Sequence, residues 1–431
     1  MHWRLPSRRV WLGIIVSFVA LPSIAAADPD LVLANGLRVV VQEDHRTPDA
    51  VLQVWYRVGS LDEENGKTGL SHLVEHLMFT GTAALPDDSF AREIAAAGGR
   101  VNAFTGYHYT AYSVQLPATR IASALSLEAD RMRNLLISPA QFARAKDAVR
   151  AERKWRIDES IQALAREKLM AAAFAGTPFA HPVIGWQSDI DLIAIDDARA
   201  WYSRWYTPDG AVLVVTGDVS SSGIVDEARR IFGGIPAGNM ARSGAPVFPE
   251  FHTDRISMSG QSAYVVMVYP VPGIDKATPT LRHTMKVIAR LLDETDRAGA
   301  DGRAVMSVHA WSDLDRPGAG IFVIDGTAEP PAVAADVEKE IMRRVEMLKR
   351  EAIPARRLER IEAELVADEQ RSQSLFARAR RIGLEATAGL PLRKADGDTA
   401  RSAEELNAAI REATMRYLLE NRRAVAISDR M

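Results

Sequence analysis

Twelve residues, Gly69-Leu-Ser-His72-Leu-Val-Glu75-His76-Leu-Met-Phe-Thr80, constrain the fold of this chain more than any other stretch. At about 100° per residue, a helix here gathers His72, Glu75, His76 and Phe79 on one side. Leu70, Leu73, Val74, Leu77 and Met78 fall on the other side. The apolar side needs another layer of structure to pack on, and the polar side needs a cavity. Thr68 stands where an N-cap belongs, and Gly81 stands where helices commonly stop.

The spacing also carries chemistry. Residues i and i+4 are neighbours on a helix surface, so two imidazoles there can reach one Zn²⁺ at about 2.0–2.1 Å each. Glu75 lies one turn from His72 on the same face, close enough to handle a water at such an ion without being a ligand. H-x-x-E-H is a spacing used by zinc peptidases. With nine histidines in 431 residues, a bare match also arises by chance, as ordinary surface or core residues, so the rest of the chain has to decide. His45, His252, His283 and His309 have no partner at metal spacing.

The length predicts two domains. A net charge of −3 shows no basic excess and argues against a nucleic acid or an anionic membrane surface as partner. Met1 to Val10 carries Arg4, Arg8 and Arg9 and no acid, Trp11 to Ile24 is apolar, and Ala25-Ala26-Ala27 is a small-residue site before Asp28. This pattern predicts a secretory signal peptide over residues 1–27, cut after Ala27. The apolar run is shorter than the ~20 residues of a membrane anchor, so no stable span is expected after cleavage. Without the three arginines the chain carries 50 basic and 56 acidic side chains, a net charge of about −6. There is no cysteine, hence neither a disulfide nor a lipidation site, although export would permit disulfides. The expected location is a bacterial periplasm or the medium outside.

Along the chain, Leu31 to Gln42 reads as strand, Asn35-Gly36 turn, strand. Further strands are expected over 50–58, 101–104, 109–116, 211–217, 262–269, 305–311, 320–327 and 423–427. Helices are expected over 89–97, 117–136, 196–206, 220–232, 278–292, 331–350, 354–389 and 403–419. Ser138-Pro139 opens a charge-rich amphipathic helix expected to run to about Ala175. The order of elements predicts an α+β protein of two similar domains, 28–240 and 241–431. Each is a mostly antiparallel sheet with helices packed on one face.

The chain resembles the M16 zinc peptidases, the pitrilysin, insulin-degrading and mitochondrial processing peptidase group with its LuxS-like metallohydrolase fold. The residues that carry the resemblance begin with Asn35-Gly36-Leu37, Val58-Gly59-Ser60 followed by Glu63, and Gly69 through Thr82. They continue with Gly98-Gly99-Arg-Val-Asn102-Ala103-Phe104-Thr105, Thr110-Ala-Tyr112, Ala129-Asp130-Arg131-Met132, and Tyr206-Thr-Pro208 before Gly217-Asp218.

The resemblance implies one Zn²⁺ per chain, held by His72, His76 and Glu152, with one position left open as a catalytic site needs. Sequence alone does not choose Glu152 over Glu128, Asp130 or Glu159; without the resemblance it is one charge on a charge-rich helix. Glu75 is then the catalytic general base for water attacking a peptide bond. Many relatives carry a second glutamate two turns before the third ligand, where this chain has Ala145. The resemblance also makes Asn102, Ala103 and Phe104 a substrate-binding edge strand, on which a peptide gains main-chain hydrogen bonds. Without it, Asn102 reads equally well as a buried turn residue. His108 is expected near the site or at the surface without a metal role, and His181 is expected to be structural.

In this family an opposing half supplies an Arg and a Tyr seven residues apart. Here Gly299 and Met306 stand near those positions, Arg297 and Arg303 are close, and no Tyr lies between Tyr269 and Tyr417. The expectation is therefore a zinc endopeptidase acting on peptides or unfolded segments. It would be the catalytic subunit of a heterodimer whose homologous partner lacks zinc and supplies the Arg/Tyr pair, with a homodimer as the alternative. A non-catalytic binding or assembly subunit of the same fold is the rival reading, and a maturation protease for one peptide is a third.

Overall fold

A computed structural model describes residues 30–86, 89–239, 250–260, 262–296, 306–371, 374–392 and 402–430. The expected signal peptide, the expected domain boundary at 240/241, and Arg297, Gly299 and Arg303 lie outside the described residues.

The first half runs β1 (Asp30–Val32), β2 (Arg38–Glu43), β3 (Asp49–Tyr56), α1 (Leu70–Leu77), α2 (Ser89–Ala96), β4 (Arg100–Thr105) and β5 (Thr110–Pro117). It continues with α3 (Ile121–Asn134), α4 (Pro139–Arg153), α5 (Ile161–Ala173), α6 (Gln187–Leu192), α7 (Ile195–Trp205), β6 (Ala211–Gly217) and α8 (Ser221–Phe232). The second half runs β7 (Arg255–Gly260), β8 (Ala263–Val271), α9 (Pro279–Leu292), β9 (Glu294–Asp296), β10 (Met306–Asp313) and β11 (Gly320–Ala328). It ends with α10 (Ala334–Arg350), α11 (Ala355–Arg371), α12 (Leu375–Thr387), α13 (Ala403–Tyr417) and β12 (Ala424–Arg430).

Each half forms a six-stranded sheet, in the orders β1-β2-β6-β3-β5-β4 and β7-β12-β8-β11-β10-β9. Each sheet has one parallel pair, β2/β6 and β12/β7, and is otherwise antiparallel. The expected α+β layout of two similar units is thus the observed one.

Alternation along the strands builds two faces per sheet. Ala50, Leu52, Val54 and Tyr56 of β3 enter the core shared with α1, α3, α7 and α8. Val51 and Trp55 point to the opposite face, which is covered by Leu375, Ala379 and Ile382 of α12, a helix from the second half. The second sheet repeats the scheme. Val265, Met267 and Tyr269 of β8 pack within their own half, whereas Tyr264, Val266 and Val268 meet Ala165, Leu169 and Ala173 of α5 from the first half. Burial on both faces is why β6 and β8 read as continuous apolar runs.

Several local expectations change. Thr68 is not the N-cap of α1. Its hydroxyl donates to Asp189 (2.7 Å) and accepts from the Trp186 N–H (3.0 Å), and Gly69, at φ +89°, takes the cap position. The helix expected from Ser138 to Ala175 is two helices. It leaves α-geometry through a π-turn at Lys154–Asp158 and restarts where Ser160 accepts from the Ala163 N–H. Both pieces share the same charge-rich pattern, which concealed the break. The stretch 354–389 is likewise divided, with Ser374 capping α12. β7 and α6 were not expected; the alternating burial of Arg-Ile-Ser-Met-Ser-Gly is the signal that marks β7.

Candidate active site

The site starts with how α1 is held. Its apolar side is buried in the first core. Its first turn has no capping side chain of its own. The Glu63 carboxylate, from the loop before it, accepts the N–H groups of Gly69 (2.8 Å) and Ser71 (2.7 Å). Complete burial outweighs these bonds and pushes the Glu63 carboxyl up to about 8. Gly69 and Gly185 touch backbone to backbone: a Cβ on Gly185, at φ +87°, would lie 2.4 Å from the Thr68 carbonyl oxygen. Both positions require glycine for conformation and for space.

On the polar side of α1, the His72 and His76 rings stand 4.8 Å apart and nearly perpendicular, at 87°. Glu152 reaches them from the last turn of α4. Its Oε2 lies 3.7 Å from His72 Nε2 and 3.2 Å from His76 Nε2. The three ligand atoms lie within 4.8 Å of one another, and among the described residues no other such group converges. A tetrahedral Zn²⁺ with bonds of about 2.0–2.1 Å places its ligand atoms about 3.3–3.5 Å apart, and the two separations from Glu152, 3.2 and 3.7 Å, lie close to that range.

Electrostatics agree with that fit. Burial pulls His72 down to about 3 and lowers His76 as well, against the pull of Glu152. Both imidazoles are therefore neutral near pH 7, the form that ligates metal. Glu75 accepts a hydrogen bond from the Thr105 hydroxyl. Burial pushes its carboxyl up to about 7 against the pull of the Thr105 bond, with the nearby Glu152 charge adding to the rise.

Glu152 is placed by what surrounds it. Ser138 and Gln141 form a capping box at the start of α4, and Gln141 Nε2 donates to the Thr80 carbonyl just beyond α1 (2.9 Å). At the other end, buried Arg153 donates to both oxygens of Glu167 on α5 (2.9 and 2.8 Å) and to the Gly185 carbonyl (2.7 Å). Arg156, in the π-turn, pairs with Glu152 Oε1 at 2.6 Å. Ala145 is buried in the core of the first half and offers no polar atom to Glu152.

These groups open into a cleft of about 950 Å³. β4, the terminal strand of its sheet, forms one border with Asn102, Ala103 and Phe104. Asn102 is exposed and accepts from the Ala103 N–H at 3.0 Å. The Phe104 ring packs against Trp55, Tyr109 and Phe376, and Phe104 pairs with Ala111 of β5. His181 lines the cleft, and His108 packs edge-on against Phe179 with Arg316 nearby. Thr105, Arg156, Arg166, Trp311 and Arg316 also line it and were not singled out from sequence. Thr105 alone was named in the sequence, as the end of the family-resembling stretch Gly98–Thr105 and without a role; the others arrive through tertiary packing.

An α+β fold of two paired six-stranded sheets, with a His-His-Glu cluster at the border of the first, defines a metallopeptidase-like class. The model "Insulinase (Peptidase family M16)" matches residues 38–186, and "Peptidase M16 inactive domain" matches residues 193–365. The chain belongs to the M16 peptidase family. It is 26% identical over 352 residues to the zinc protease PqqE of Helicobacter pylori, covering 78% of each chain. It is 31% identical over 238 residues to an uncharacterised zinc protease of Mycobacterium tuberculosis, 55% of this chain and 53% of that one. A solved protease from Helicobacter pylori superposes with TM-score 0.78 at 21% identity, over 93% of this chain and 98% of that one. The periplasmic protease PqqL from Escherichia coli superposes with TM-score 0.71 at 17% identity, over 93% of this chain and 47% of that one. A Pseudomonas fluorescens structure described as a peptidase M16 inactive domain reaches TM-score 0.78 at 17% identity, over 93% of this chain and 97% of that one. These structures share the fold. Among the described residues no helix is long and apolar enough to cross a membrane.

Proposed function

We infer that this chain is a zinc-dependent endopeptidase acting on peptides or unfolded segments. The observation that carries the reading is the convergence of His72, His76 and Glu152 beside Glu75, in a cleft bordered by a sheet edge. The trio would hold one Zn²⁺, which supplies Lewis acidity when bound, acidifying water and polarising a carbonyl. Glu75 takes the proton of the attacking water and returns it to the leaving amine. Thr105 fixes the orientation of the Glu75 carboxylate through its hydroxyl. Asn102, Ala103 and Phe104 bind the peptide backbone as an added strand.

The protein is read as exported after cleavage at Ala27, a reading supported by the N-terminal sequence and by the periplasmic PqqL sharing the fold. It is further read as the zinc-bearing subunit of a heterodimer, its homologous partner supplying the Arg/Tyr pair. The absence of tyrosine between Tyr269 and Tyr417 supports that, and a homodimer is the alternative.

The test is metal analysis with a peptide-cleavage assay on the unmodified chain and on Glu75→Gln. Both proteins should hold about one zinc, and Glu75→Gln should lose at least ~10² in rate. A metal-free chain, or an unchanged rate, overturns the mechanism; zinc without turnover favours the binding-subunit reading. Co-expression with a neighbouring peptidase-like chain should yield a 1:1 complex more active than this chain alone.

A further inference from the structure

The cleft has a second wall that this mechanism does not use. It comes from the other half of the chain, with Trp311 on β10 and Arg316 in the turn before β11, and Arg166 of α5 also lines the cleft. Arg316 lies 4.1 Å over the Tyr107 ring, and its Nε donates to Asp313 at 2.6 Å. Its NH1 is buried without a hydrogen-bond partner. Arg166 lies 5.5 Å over the Trp311 ring, its ion-pair partner Asp325 is 3.9 Å away, and its Nε is buried without a partner.

The acids of the cleft are already engaged. Glu152 faces both imidazoles and pairs with Arg156, Glu167 takes two bonds from Arg153, and Glu75 accepts from Thr105. The two arginines thus leave unused donors at this wall. A buried donor left unmade is costly, and a guanidinium fork matches a carboxylate in charge and shape. The aromatic rings hold both guanidinium planes in place.

From this geometry we propose that the second wall is a subsite for a peptide carboxylate, with Arg316 as principal donor and Arg166 as the second. The carboxylate is an acidic side chain or a free C-terminus, so the cleft favours acidic peptides. The proposal rests on the peptidase reading and names the substrate class it selects.

The test uses fluorescent peptides of one sequence carrying a single Glu, or Gln in its place, moved along the chain, each with a free or amidated C-terminus. Binding is read by anisotropy on the full zinc-loaded chain carrying Glu75→Gln, and cleavage is read on the unmodified chain. At one position or more Glu should bind at least tenfold tighter than Gln, or the free C-terminus tenfold tighter than its amide. The first result assigns a side chain and the second a C-terminus. The preference should fall below threefold when Arg316→Gln is added and be partly kept with Arg316→Lys. Equal binding of all peptides, or a preference unchanged by both Arg316→Gln and Arg166→Gln, overturns the subsite. Should Arg316→Gln not fold, the peptide comparison and Arg166→Gln decide. An unmodified chain that cleaves no peptide, alone or in complex with its partner chain, overturns the peptidase reading, while the binding arm still judges the subsite.

Discussion

Arg153 shows how a single residue next to the site does structural work. Its guanidinium and the Glu167 carboxylate are each 5% exposed in their side chains and share two parallel bonds. Removing one member of a buried pair leaves an uncompensated charge, so Arg153→Met should cost about 3–5 kcal/mol in urea unfolding. The double change Arg153→Met with Glu167→Leu should regain most of that loss, because an apolar pair of similar volume needs no partner. If the double variant is no more stable than the single one, packing rather than charge pairing is what Arg153 contributes. Glu75 stands at the same scale: its environment raises its affinity for a proton, which suits the general-base role proposed for it, whereas burial lowers the affinity of the two histidines for one.

At the scale of elements, two helices have exchanged places. α5 follows α1 and α4, the helices of the His-His-Glu cluster, in the chain yet packs on the second sheet, and α12 belongs to the second half yet covers the first. The fit of α12 depends on Gly383, where a Cβ would lie 2.0 Å from the Trp55 ring. Trp55 is fully buried, and its indole N–H donates to Gln53 at 2.9 Å, so the ring has nowhere to move without breaking that bond. Gly383→Ala should therefore destabilise the protein by about 1–3 kcal/mol despite the better helix propensity of alanine. A thermal melt showing equal or higher stability would mean that the ring is free to shift. The break between α4 and α5 belongs to the same exchange. The turn at 154–160 redirects the chain from the first half onto the second sheet, just after Glu152 has been placed.

For the whole molecule, the exchange makes each half part of the other's core. Neither sheet keeps its second face covered if the other half unfolds, so calorimetry should show one transition with equal calorimetric and van't Hoff enthalpies. Two separated transitions would contradict this. The seam also carries charge: Arg378 of α12 donates to buried Asp44, just past β2, at 2.7 Å. The hydrogen bonds from Arg46, and then the charge of Arg378, hold the Asp44 carboxyl below its ordinary value against its burial. A depressed folded value means that the unfolded chain binds the proton more readily. The contribution is present above about pH 4 and is lost as pH falls below it. Asp44→Asn should lower stability at neutral pH and flatten the acid limb of a stability–pH profile; an unchanged acid limb would assign acid sensitivity elsewhere.

Local spacing by itself determined the elements whose signals lie within a few residues. The β1–β2 hairpin turns where Asn35-Gly36 predicts, with Gly36 at φ +88°. α4, α8 and α9 begin at Ser138, Ser220 and Thr278 because each hydroxyl caps the next turn. His72, Glu75 and His76 share a face because i, i+3 and i+4 do so on any helix. The third member of the cluster is different. Glu128 is buried against Arg131, Asp130 is bonded to Thr82 and Asn134, and Glu159 lies near Lys154. Only Glu152 among these four meets the imidazoles. Composition could not separate them, because the choice depends on how α4 docks on α1, with Glu152 lying 76 positions past His76. The family resemblance had implied Glu152; tertiary packing supplies the reason. The same holds for the second wall: Trp311 and Arg316 come from the second half of the chain and line the cleft through tertiary packing.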